Sequence, residues 1–70
     1  MIATIQTAST SMQGVGIFEA MKFGLETERY ADNTFDLVAH DMDKVMAIAT
    51  KCNGKILSIN DGYVYPTYES

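Results

Sequence analysis

The one histidine of the chain stands in the run His40-Asp41-Met42-Asp43, which brings an imidazole and two carboxylates into four residues. Such a set could hold a metal or exchange protons, but the spacing argues against both. Ligands on a helix share a face at i and i+3 or i+4, and helical zinc motifs place a second histidine at that interval with a third ligand from elsewhere. The sequence has no second histidine. An aspartate before a helix accepts from the free backbone N–H groups, and a further carboxylate favours the positive end of the helix dipole. Asp41 and Asp43 therefore read as residues of a strand-to-helix junction. Neither a metal nor a cofactor is expected.

Cys52, the only cysteine, follows His40 by twelve residues and lies at the other end of the same expected helix. At a rise of ~1.5 Å per residue the two are ~18 Å apart, too far for a nucleophile and its base. Cys52 reads as a buried structural thiol. Ser9, Thr10 and Ser11 could supply a hydroxyl, and Gly14-Val15-Gly16 touches a phosphate-loop pattern. The glycine pair lacks both the third glycine of a dinucleotide fingerprint and the Gly-Lys-Ser/Thr end of a P-loop. No nucleophile, base and orienting group assemble from these residues, so an enzyme is not expected.

Charge is the least ordinary feature. Between Glu26 and Asp43 there are six acidic residues, Glu26, Glu28, Asp32, Asp36, Asp41 and Asp43, against one basic, Arg29, a net of −5. The whole chain carries −4, so the remainder is close to neutral. A negative patch of this kind steers association toward a basic surface; the plainer reading is a solvated hairpin that keeps a sheet edge soluble. Tyr63, Tyr65 and Tyr68 add aromatic side chains of a type enriched at interface hot spots. Lys22, Arg29, Lys44, Lys51 and Lys55 are scattered singly, and a net negative charge opposes binding to a polyanion. Direct contact with nucleic acid is not expected. Among the methionines, Met21 and Met46 read as core fillers, and Met12 and Met42, at helix starts, as contact candidates.

The elements that must position these residues follow from apolar period and punctuation. Residues 2–8 alternate with β-branched residues and suit a first strand. Ser9, Thr10 and Ser11 offer N-cap oxygens to a helix over residues 11–24, with Ile17, Phe18, Met21 and Leu25 as its core stripe. The same stretch also alternates as Val15, Ile17, Met21, Phe23, Leu25, and Gly14, Gly16 and Gly24 weaken a helix; a strand there would give a hairpin-rich sheet around the single helix 41–52. Residues 27–31 and 34–39 flank Asp32-Asn33, which tolerate the positive φ of a tight hairpin turn. Phe35, Leu37 and Ala39 then share one face and Asp36 points outward.

The helix 41–52 carries Val45, Met46, Ile48, Ala49 and Cys52 as its apolar stripe, Lys51 in its last turn and Asn53-Gly54 as its left-handed stop. Residues 55–60 form the next strand, with Ile56 alternating against Leu57 and Ile59. Asp61-Gly62 is a strong hairpin signal, followed by a strand 63–65 that Pro66 ends or confines to an edge and a loose tail over residues 67–70.

The order βαββαββ implies a single α+β domain over residues 1–70. It is a two-layer sandwich of a mainly antiparallel sheet with two helices on one face, a variant of the ferredoxin-like arrangement. With one cysteine, no basic leader and no apolar run near ~18 residues, the chain reads as a soluble cytoplasmic protein. In size, acidity and lack of a catalytic motif it resembles small phage-encoded inhibitors of host defence, such as anti-CRISPR proteins. That resemblance implies a non-enzymatic inhibitor whose acidic face blocks the basic, nucleic-acid-binding site of a protein partner in the host cytoplasm. A second reading is a small ligand-sensing or regulatory module, dimeric through an exposed sheet edge, with a ligand near Gly14.

Overall fold

The computed structural model describes residues 1–60. They form β1 (Ile2–Gln6), α1 (Thr10–Lys22), β2 (Glu26–Ala31), β3 (Thr34–Val38), α2 (Met42–Lys51) and β4 (Lys55–Asn60). The strands make one antiparallel sheet in the order β2-β3-β1-β4. This is the connectivity and strand order of the ferredoxin-like arrangement. Residues 10–22 are helical, so the hairpin-rich alternative does not hold. The strand and tail expected over 63–70 lie outside the described residues.

Both helices begin and end on local chemistry. The Ser9 hydroxyl accepts from the Met12 N–H and the Asp41 carboxylate from the Lys44 N–H, at 3.2 and 3.0 Å, each as an N-cap in extended backbone. At the end of α1, Gly24 adopts φ +74°. Its N–H donates to the Met21 carbonyl, and that of Leu25 to the Ala20 carbonyl. In α2 Asn53 takes the same left-handed role at φ +53°, with Asn53 N–H on Thr50 and Gly54 N–H on Ala49. Each end is a Schellman motif, which satisfies carbonyls the helix leaves free.

The core lies between the sheet and the helices. Ala3 and Ile5 of β1 and Phe35 and Leu37 of β3 meet Ala20, Val45, Ile48, Ala49 and Cys52, all buried. The face that α1 turns inward differs from the expected stripe. Gln13, Gly16 and Ala20 are its buried residues, Ile17 is half-buried, and Phe18 and Met21 are 59% and 65% exposed. The cause is Phe35. A Cβ added at Gly16 would sit 2.7 Å from the Phe35 ring and 3.0 Å from Cys52 Sγ, so the ring fills the place a larger residue would need. Met46, also expected inside, is 53% exposed; on α2 it stands beside Ile56 at the rim of a shallow cleft.

Two further expectations are corrected. Neither Asp32 nor Asn33 takes a positive φ. The hairpin carries a bulge between Arg29 and Ala31, and its tip is tied elsewhere: Thr7 N–H and Oγ1 both donate to the Asn33 carbonyl, and the Asn33 amide donates to the Thr7 carbonyl. In β4 a register shift opposite Thr4 and Ile5 turns Ile56 and Ile59 alike toward the core, leaving Leu57 exposed. One extra residue reverses the parity of a strand.

Buried Gln13 fastens α1 to the hairpin. Its amide donates to the carbonyls of Ala31 and Thr34, and its Oε1 accepts from Arg29 Nη1. No buried side-chain nitrogen or oxygen among the described residues lacks a partner.

Candidate functional site

Side chains alternate across a strand, so the burial of Ala3, Ile5, Phe35 and Leu37 under the helices assigns their neighbours to the other face. The register aligns Glu28 with Asp36 and Asp36 with Thr4, and Thr4 with Ser58, in one row across all four strands. A second row runs Glu26, Val38, Ile2, Asn60. Three carboxylates, Glu26, Glu28 and Asp36, thus share the sheet face away from the helices, on its β2 and β3 side. The Asp36 carboxylate accepts from Thr4 Oγ1 at 2.7 Å, which fixes its direction.

The described basic residues stand apart from that cluster. Arg29 pairs with Phe35 and turns to the helix side, where it donates to Gln13. Lys22 and Lys44 lie over the rings of Phe18 and Phe23, at 5.5 and 5.0 Å, and Lys51 closes α2. Lys55 pairs with Gln6 at the corner diagonally across the sheet from Glu26. Negative potential is therefore concentrated on one side of the open face.

The other sequence candidates distribute differently. Asp32 sits exposed at the hairpin tip, between the β2 and β3 ends of the sheet. Asp41 and Asp43 belong to the helix layer: Asp41 caps α2 and Asp43 occupies its first turn. Close in sequence, the six carboxylates do not make one surface. Tyr63, Tyr65 and Tyr68 lie outside the described residues. Tyr30, which the sequence reading passed over, is the extra residue of the β2 bulge and is 73% exposed; a lone aromatic in a charged hairpin gives no periodic signal.

His40 is exposed just before α2, and Cys52 is fully buried just after it. Burial pushes the Cys52 thiol above its ordinary range, with backbone hydrogen bonds opposing weakly. Among the described residues no group of three or more His, Cys, Asp or Glu side chains could hold a metal. A shallow cleft of about 410 Å³ lies at the end of the sheet, lined by Met1, Leu25, Glu26, Val38 and His40, and Gly14 lines neither it nor the cleft beside Met46. No helix among the described residues is long and apolar enough to cross a membrane. The chain matches no protein-family model, no curated protein and no solved structure.

Proposed function

We propose that the chain acts by binding a protein partner, with Glu26, Glu28 and Asp36 on the sheet face away from the helices set against a basic site of that partner. The observation that carries this reading is the row Glu28, Asp36, Thr4: two carboxylates directly opposed on neighbouring strands, one of them oriented by a hydroxyl. Like charges placed directly opposite one another on a sheet work against stability. A cationic surface that removes the repulsion therefore gains more from this pair than from isolated carboxylates. Basic sites of the required breadth are those that proteins use to hold nucleic acid, so occupancy of this kind blocks a nucleic-acid-binding site. This is the mode of action implied by the resemblance to anti-CRISPR-type inhibitors. Asp32 at the tip and Tyr30 beside it extend the surface.

The test is capture of a partner by the tagged full chain, challenged with short duplex DNA and with salt. Competing DNA releases the partner, raised salt weakens capture, and Glu28→Lys with Asp36→Lys abolishes it while the circular dichroism spectrum is retained. Capture that survives the double reversal in a folded protein overturns the reading.

A further inference from the structure

Helix α1 also carries large apolar side chains away from the core. Its inner face is Gln13, Gly16 and Ala20, whereas Val15, Phe18 and Met21 point away from the core at 37%, 59% and 65% exposure. At 100° per residue these three form a patch centred on Phe18, with Gly14 and Lys22 one turn to either side. The patch also carries no net charge. The only charged residues in α1 are Glu19 and Lys22, which pair with each other at 3.4 Å, and the carboxylates of the 26–43 segment lie in the hairpin, the sheet and the start of α2.

We propose that this face of α1 is the contact between two copies of the chain, packed antiparallel about a two-fold axis at Phe18. A two-fold interface must be complementary to itself, and the order of residues here is. Counting outward from the axis, Phe18 meets Phe18, Val15 meets Met21 and Gly14 meets Lys22. A Cβ at Gly14 would touch nothing within 4 Å, so that position offers room for the aliphatic stem of Lys22 from the second copy. Contact here adds no like-charge pair to two molecules of net −4, because Glu19 and Lys22 balance each other within each helix. A chain of this length buries only roughly 60% of its surface alone, and small domains commonly gain stability through a second subunit.

Sedimentation of the full chain between about 5 and about 500 μM tests this. The weight-average mass should rise from one chain toward two, and the rise should persist in high salt, where capture through carboxylates weakens. Phe18→Asp and Gly14→Gln, both at open positions, should each weaken association at least tenfold with the spectrum of the folded chain unchanged. Phe18→Cys should form a covalent dimer on mild oxidation, since the two positions meet on the axis, while buried Cys52 stays reduced. A single-chain mass at every concentration overturns the proposal. So does a dimer that Phe18→Asp and Gly14→Gln leave intact, which would put the contact at a sheet edge. Glu28→Lys leaves the dimer in place, so this proposal and the partner-binding reading fail separately.

Discussion

Glu28 and Asp36 are direct cross-strand neighbours on the sheet face away from the helices, with no basic side chain among the residues that share their row. Two carboxylates in this relation cost stability, and an opposite-charge pair in the same place contributes ~0.2–1 kcal/mol. Glu28→Lys is therefore expected to raise the urea midpoint of unfolding at unchanged slope while it weakens capture of a basic partner. Stability and binding move in opposite directions, which a merely solvating role for Glu28 does not produce. A variant that is less stable and binds as before would remove the basis for assigning this pair to an interface.

The two glycines of α1 should respond oppositely to alanine. At Gly16 the new methyl group meets the Phe35 ring at 2.7 Å and Cys52 Sγ at 3.0 Å, and overpacking of this kind costs ~1–3 kcal/mol. At Gly14 the methyl group enters open space, and helix propensity alone favours alanine by ~1 kcal/mol. Thermal melts of dilute protein should shift by ~4–8 °C per kcal/mol in a domain of this size: downward for Gly16→Ala and upward for Gly14→Ala. Equal shifts would mean that the helix is not seated on Phe35.

Cys52 gives a pH dependence whose sign follows from burial. Its thiol is held above the ordinary value of 9.0, so on raising the pH the unfolded chain releases this proton before the folded one. The native state then binds more protons, and stability falls as pH rises past about 9. Below that value the contribution is fully present. Urea unfolding of the wild type and of Cys52→Ala across pH 7 to about 10 should show a steeper alkaline loss for the wild type. In parallel, a thiol reagent should modify the native chain slowly and the urea-unfolded chain at once. Matching alkaline slopes in the two proteins would show that the thiol ionises as freely in the folded chain.

Much of this architecture is written in local punctuation. Helix α2 is announced at both ends, by Asp41 before it and Asn53 after it, and strand parity in Thr34–Val38 places Asp36 outward without reference to any other element. The inner face of α1 is different in kind. With Val15, Ile17, Phe18 and Met21 spread around its circumference, no rotation of the helix is favoured by its own residues. Phe35, nineteen positions beyond Gly16, decides the matter by taking the space that Gly16 leaves. The parity of β4 is likewise set by β1, whose pairing absorbs Leu57 as an extra residue. The candidate site was legible as a run of acids but not as a surface. Glu26, Glu28 and Asp36 converge only through the β2–β3 register, and the step from β3 to α2 carries Asp41 and Asp43 into the other layer.

The strand order has a consequence for how the protein is made. β1 precedes the other described strands in the chain and is flanked by β3 and β4, so one of its two edges waits for the last described strand. A hairpin closes in microseconds, whereas translation at ~5–20 residues per second takes on the order of a few seconds to pass from Val38 to Asn60. Until β4 pairs, a chain that has already joined β1, β2 and β3 presents the bare backbone edge of Ile2–Gln6, a template on which another copy can pair.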